Sequence, residues 1–421
     1  MTERLAILAD DLTGAADTGA AFAAVGLRTV VLLSPDAPIP ADADVLVLSS
    51  ESRASSRADA AEAIRRCAVR IADWRRGDSS VPVYVKVDST MRGHPGDDLA
   101  VVLETLGERR ALVAPAFPSQ GRTTVHGRQF VHGVPLEDST FGNEVGTSDL
   151  AVLFAPAARG AIASLSRDDL QHGVEHVAGR LAEPSDNRVW LADAEDDDDL
   201  ARLAAAAFAS PLRVLCGSAG LARAIAHIVS QELGAVLLTA PEGPRPRAQG
   251  RHPVLVVAGS RHPATAAQVG ALQRDGAVVV NPERSLLEDG DASGAASTAA
   301  SVVDALSAAQ VVVLTTSGVP DMPIDGRALA ARLASIVASA CERGRVAGLV
   351  LTGGDTAAAV CAALGARSIW LTGELQPGIA MATLIGGRHP GLPVVTKAGG
   401  FGDEAALIQT AALLSGAGLQ G

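Results

Sequence analysis

The sequence has 421 residues, 48% of them hydrophobic and 19% charged, which calls for two or three domains with full-sized cores and leaves little for long disorder. Aromatic residues make up only 3%, so the cores must be built from Ala, Val and Leu, as in helices packed on buried parallel strands. The formal net charge of -12, with few aromatics, argues against a nucleic-acid binder, which would need a basic face. It also means that any anionic ligand must be held by local cations against a repulsive background.

The chain opens on a short apolar run, Leu5–Ala9, that ends in Asp10, Asp11, Leu12, Thr13 and Gly14. An Ala-rich helix is expected over 15–25, closed by Gly26. Strands are expected at 29–33, 45–48 and 81–87, with a helix at 58–74 between the last two. This alternation indicates parallel βαβ units. Residues 115–146 break the rhythm with Pro, Gly, His and Arg, and read as a long irregular loop of the functional kind. His126 and His132 fall in it at a spacing that fits no simple metal pair, and read as loop hydrogen-bonders.

The α/β pattern resumes near Val152, with strands at 189–192 and 214–216. The four acids 196–199 read as a solvated helix start. Residues 241–253, PEGPRPRAQGRHP, are the best linker in the chain. A second βα series follows, with strands at 254–258, 277–280, 311–315, 349–352, 368–371 and 393–396. The reading is therefore α/β, with a first domain at 1–240 and a second at 254–421, each a mostly parallel sheet flanked by helices. Ligands are expected in the cleft between the domains.

Four cysteines (Cys67, Cys216, Cys341, Cys361) form no C-x-x-C pair and read as buried thiols of a reducing compartment. No apolar stretch is long enough to span a bilayer and the N-terminus lacks a signal-peptide pattern, so a cytoplasmic protein is expected. Lysine occurs only at Lys86 and Lys397, and the other 33 of the 35 basic residues are arginine. Both lysines directly follow apolar strand-like runs. A compact ammonium is not replaceable by a guanidinium where it must reach a phosphate or carboxylate oxygen.

In open parallel sheets, ligands bind beyond the carboxyl ends of the strands. In the first domain those ends carry Asp10 and Asp11; Ser50, Glu51 and Arg53; and Lys86, Val87, Asp88, Ser89, Thr90 and Arg92. Such a set suits a polyhydroxylated carboxylic acid, with arginine on the carboxylate and aspartate on the hydroxyls. One of Asp10 and Asp11 would orient or deprotonate the reacting hydroxyl, and Lys86 would neutralise charge. Asp11 and Thr13 are also good helix caps.

In the second domain three glycine turns follow strands: Gly259–Ser260, then Gly353, Gly354, Asp355 and Thr356, then Lys397, Ala398, Gly399 and Gly400. Glycine at a strand-to-helix turn lets the backbone approach a phosphate, and the helix N-terminus offers free N–H groups. Together they point to nucleotide binding. No G-x-x-x-x-G-K-[ST], G-x-S-x-G or H-E-x-x-H is present, and the G-x-G-x-x-G at 416–421 ends the chain and cannot open a helix. Adjacent acids after the first strand disfavour a D-x-D-x-T phosphatase, and the absence of G-x-G-x-x-G there disfavours a dehydrogenase. A non-catalytic sugar-acid sensor would leave the three glycine turns idle.

The segments ILADDLTGAADTGAAFA, SESR, KVDSTMRGHPG and APAFPSQGRTTVHG resemble the substrate-binding domain of the four-carbon acid sugar kinases. VVAGSRHPAT, LVLTGGDTAAAV and TKAGGFGDEAAL resemble that family's nucleotide-binding domain. The resemblance implies transfer of the γ-phosphoryl group of ATP, with Mg²⁺, to the terminal hydroxyl of threonate, erythronate or 3-oxo-tetronate. VHGVPLEDS is more similar to the threonate-using members, although His94 stands where several relatives carry Asn. By resemblance, Asp11, Arg53 and Lys86 to Ser89 bind the sugar acid, and Ser260, Gly353 to Thr356 and Gly399 bind ATP. Two domains with one ligand each would close about the linker and exclude water. The sequence leaves the metal ligands and the oligomeric state open, a homodimer included.

Overall fold

The computed structural model describes residues 4–76, 78–158, 162–183, 189–233, 252–289, 291–317 and 325–416. The chain divides into two compact units that part near Pro241, with the short stretch Val31–Leu33 counted in the second. Most of the expected linker, 241–251, lies outside the described residues.

In chain order the first unit contains β1 (Leu5–Ala9), β2 (Thr29–Leu32), β3 (Val45–Ser49), β4 (Val83–Lys86) and β5 (Ala111–Ala114). It continues with β6 (Arg122–Val125), β7 (Arg128–Val131), β8 (Val134–Pro135), β9 (Ile162–Leu165), β10 (Val189–Ala192) and β11 (Val214–Gly217). Seven of these lie side by side in the order β3-β1-β4-β11-β5-β10-β9, and every pair is parallel. β1, β3, β4 and β11 are apolar along nearly their whole length and fully buried, as strands covered on both faces must be. The chain leaves β1 through the helix Leu12–Ala24, so β3 lies on one side of β1 and β4 on the other. The loops after β3, β1 and β4 therefore open at one sheet edge where the winding reverses, the usual place for a ligand.

Residues 115–146 are not the irregular loop expected from composition. They contain a small antiparallel sheet, β6-β7-β8, turned twice by two-residue connections. Val125 pairs with Arg128 around His126–Gly127, and Val131 pairs with Val134 around His132–Gly133. All four turn residues have positive φ (49°, 71°, 49° and 78°), the pattern of a type I′ hairpin turn with His in the position usually taken by Asn. The acids at 196–199 also differ from expectation. Asp196 caps the helix Asp197–Phe208, whereas Asp199 is buried and paired with Arg167 and Arg202.

The second unit contains β12 (Val254–Ala258), β13 (Val278–Val280), β14 (Val311–Thr315), β15 (Gly348–Thr352), β16 (Ser368–Gln376), β17 (Ile379–Ile385) and β18 (Pro393–Lys397). The first four and β18 are parallel in the order β13-β14-β12-β15-β18. β17 then runs antiparallel to β18, and β16 antiparallel to β17. Its core joins β12, β14, β15 and β18 to the helices Pro263–Arg274 and Ala406–Ser415. No helix among the described residues is long and apolar enough to cross a membrane.

Candidate functional site

Asp11 begins the helix Leu12–Ala24 as its N-cap, with extended backbone and its Oδ1 accepting from the Gly14 N–H at 2.8 Å. The Thr13 hydroxyl donates to its Oδ2 at 2.7 Å. Capping is only part of its work. Arg53, in the loop after β3, donates from Nε and one terminal nitrogen to both oxygens of Asp10, at 2.8 and 2.6 Å. It also donates to both oxygens of Asp11, at 2.8 and 2.9 Å. One planar guanidinium thus holds two adjacent carboxylates, which explains the paired acids that capping alone does not.

Lys86 ends β4 beside this cluster, 7% exposed, with Nζ donating to the Val87 carbonyl at 3.0 Å. A Cβ on Gly14 would stand 2.5 Å from Asp11 Oδ1 and 3.2 Å from Lys86 Nζ, so only glycine lets the helix start close over these charges. Burial alone would raise the Asp11 carboxyl, but Arg53 and Lys86, with the Thr13 and Gly14 hydrogen bonds, hold it below the ordinary aspartate value. Burial opposes the Arg53 charge, and Asp10, Asp11 and Asp88 together keep it firmly protonated. Asp88 follows the same logic: burial raises it, and Arg92, Arg53 and Lys86 pull it well below its usual range.

The loop after β4 folds on itself. Arg92 donates to Asp88, as does the Thr90 hydroxyl at 3.0 Å, and the Val87 N–H reaches the Gly217 carbonyl at 2.9 Å. Ser89 is buried, and its carbonyl accepts from Gln129 Nε2 of β7 at 2.8 Å. The Gln129 Oε1 in turn accepts from Thr124 of β6 at 2.7 Å. The small antiparallel sheet is thereby tied to the candidate substrate loop through a fully buried glutamine. Sequence reasoning missed Gln129; the two His-Gly dipeptides between strands of two to four residues were the available signal.

Asp98 was also missed. It lies in the first turn of the helix Pro95–Leu106, is 4% exposed, and its Oδ1 has no partner. Burial, with the Asp10 and Asp97 charges adding to it, pushes its carboxyl up to about 8. His94, just before this helix, holds the Ser55 carbonyl at 2.9 Å.

In the second unit the three glycine turns follow the adjacent strands β12, β15 and β18. A Cβ on Gly399 would lie 2.1 Å from Ser260 Oγ, and one on Gly259 2.1 Å from Thr356 Oγ1. A Cβ on Gly400 would lie 3.1 Å from His262 Nε2. Gly353, at φ +91°, is N-cap to the helix Gly354–Ala363 and donates to the Lys397 carbonyl at 2.9 Å. The turns thus meet backbone to backbone around Ser260, leaving N–H groups at a helix start to face an anion.

Lys397 departs from expectation. It is 0% exposed, and its Nζ donates back to the carbonyls of Ala398 and Gly399 at 3.0 and 3.1 Å. Burial lowers its pKa to about 8. It braces the glycine turn from beneath, much as Lys86 grips the Val87 carbonyl in the first unit. Asp355, exposed at the head of the same helix, is the one carboxylate of the three turns.

Two mostly parallel sheets, one with a charged edge and one with three glycine turns, have the parts that a two-domain kinase needs. Comparison with known proteins gives the same result. The model of a sugar-binding N-terminal domain matches residues 5–225, and that of a nucleotide-binding C-terminal domain matches residues 255–407. The D-threonate kinase of Cupriavidus necator is 37% identical over 422 residues, covering 95% of each chain. The D-threonate kinase of Salmonella typhimurium is 32% identical over 427 residues, covering 96% of each. The D-erythronate kinase of Heliobacterium modesticaldum is 29% identical over 433 residues, covering 94% of each. A solved structure from Haemophilus influenzae shares the fold, with a TM-score of 0.73 at 22% identity over 98% of this chain and 100% of that one. The chain belongs to the four-carbon acid sugar kinase family, a family of phosphotransferases that act on an alcohol group.

Proposed function

We propose that this kinase transfers the γ-phosphoryl group of ATP to the terminal hydroxyl of a four-carbon sugar acid, with D-threonate preferred over D-erythronate and 3-oxo-tetronate. The observation that carries the reading is the pairing of Asp10 and Asp11 through one arginine at the ends of adjacent strands, with Lys86 alongside. Of the three relatives named above, two are D-threonate kinases and one is a D-erythronate kinase.

In this reading the first unit holds the acid and the second the nucleotide. The phosphates of ATP take the N–H groups at the start of the helix Gly354–Ala363 and the turns at Ser260 and Gly399. Among the described residues no three His, Cys, Asp or Glu side chains gather into a metal cage. A magnesium ion would enter on the triphosphate, and Asp355, in the first turn of the helix Gly354–Ala363, is the carboxylate that would help hold it. When bound, magnesium would neutralise charge on the β- and γ-phosphate oxygens.

Phosphoryl transfer asks mainly for placement and charge neutralisation. Each oxygen of Asp10 accepts one hydrogen bond from Arg53 and keeps a second lone pair to orient the acceptor hydroxyl, whereas each oxygen of Asp11 already accepts two, from Arg53 and from Thr13 or Gly14. The new O–P bond forms as the bond to the bridging oxygen breaks, the hydroxyl proton passes to an aspartate oxygen, and ADP leaves. Asp11, held ionised by Arg53 and Lys86, is a weak base, so orientation is its larger contribution. Lys86 neutralises the charge that builds between acid and phosphate. ADP release measured with Mg-ATP against D-threonate, L-threonate, D-erythronate and 3-oxo-tetronate tests the reading. D-threonate should give the highest kcat/KM; a higher value for another acid would reassign the substrate.

A further inference from the structure

Arg53 donates four hydrogen bonds to Asp10 and Asp11, so most of its donors are already engaged. Recognition of a substrate carboxylate therefore needs another cation. Arg122 opens β6 beyond the end of β5, joined to Phe117 by a pair of backbone hydrogen bonds at 2.8 and 3.1 Å. Its neighbour β7 carries Gln129, which holds the Ser89 carbonyl, so Arg122 belongs to the element fastened onto the Lys86–Arg92 loop.

The Arg122 side chain makes one hydrogen bond, from a terminal nitrogen to the Gln120 carbonyl, and its Nε is buried without a partner. Its charge feels Asp88 and Arg92, the two ends of the ion pair in that loop. Arg92 gives its Nε to Asp88, and its guanidinium lies 5.7 Å from the Phe141 ring. Asp88 is paired with Arg92, and its charge also reaches Arg122, which is partly withdrawn from water with its Nε–H unsatisfied. Burial and the neighbouring Arg92 charge both weaken the Arg122 cation, and Asp88 only partly compensates. Such an arrangement is costly unless an anion completes it.

We infer that Arg122 and Arg92 bind the carboxylate of the sugar acid and make the enzyme select an acid over a neutral polyol. The inference rests on the proposed reaction and adds to it the residue pair that sets substrate class. A planar carboxylate offers two oxygens in the spacing that arginine donors match, and it would leave Arg53, Asp10 and Asp11 to the hydroxyl end.

The test is calorimetric affinity of the full chain for D-threonate and for its uncharged primary amide, with and without Arg122→Gln. The wild type should prefer the acid, and Arg122→Gln should lower acid affinity by about 10- to 100-fold while changing amide affinity little. Arg122→Lys, which keeps the charge and guards against misfolding of the glutamine variant, should restore part of the preference. Turnover separates the remaining alternative: a loss of kcat with acid affinity intact would place Arg122 on the transferred phosphate and overturn the inference. An unchanged acid-to-amide ratio in both variants would overturn it alone. A wild type that binds no four-carbon acid would overturn the proposed function and this inference with it.

Discussion

Asp98 shows how far the site pulls on single residues. It is nearly enclosed, one oxygen lacks a donor, and the Asp10 and Asp97 carboxylates face it while Arg53 only partly offsets them. With its carboxyl raised to about 8, the native state holds a proton that the unfolded chain releases near pH 4. Between those values the native state binds more protons, so Asp98 costs stability progressively as pH rises to about 8. Asp98→Asn, the same shape without the charge, should therefore gain on the wild type from pH 4 to pH 8, by up to about 5 kcal/mol, and no further above that. Urea unfolding at a series of pH values checks this; a difference independent of pH would contradict it. Asp10, Asp11, Arg53 and Lys86 are legible as functional in the sequence because each lies at or just beyond the carboxyl end of an apolar run. It could not show that Arg53 is shared between two aspartates, since that depends on β1 and β3 being neighbours. Nor could it show that Lys397 turns back into its own loop, because the burial of that ammonium is set by packing around three separate turns.

At the scale of elements, the parallel strands were legible because they are continuous apolar runs bounded by polar turns. The strand β17 was missed because its partner β16 was read as ending at 371, whereas β16 continues to Gln376 and turns through Gly378, at φ +79°, under the Phe401 ring. The β6-β7-β8 sheet was missed because His stands in turns where Asn is the usual signal, and its strands are only two to four residues long. That sheet carries both Gln129, which holds the Ser89 carbonyl, and Arg122, so the element least legible in the sequence is the one on which the inferred carboxylate site rests. The glycine cradle was legible as glycine turns, and its geometry now yields a prediction. Gly399→Ala would put a Cβ 2.1 Å from Ser260 Oγ, so the turn must open or Ser260 must rotate. ATP affinity should fall by about 10-fold or more, with affinity for the acid unchanged; equal affinity for ATP in the variant would show that the phosphates do not use this turn.

Over the whole molecule, a net charge of -12 has to coexist with two anionic ligands. In the proposed reading the chain answers locally, with Arg53, Lys86, Arg92 and Arg122 around the Asp88 loop and backbone N–H groups at the glycine turns, whose Lys397 bonds its own loop. An enzyme of this design need not be basic overall, because short-range hydrogen bonds in a partly dry site outweigh a screened long-range field. The central claim is that the chain moves phosphate from ATP onto a four-carbon acid, and phosphorus NMR of the protein with Mg-ATP and D-threonate reads it directly. A phosphomonoester signal should grow in step with ADP, and it should vanish with Asp11→Asn, which keeps an oxygen for the Gly14 N–H while removing the charge that holds Arg53. Inorganic phosphate appearing alone, or no change on any four-carbon acid, would contradict the account.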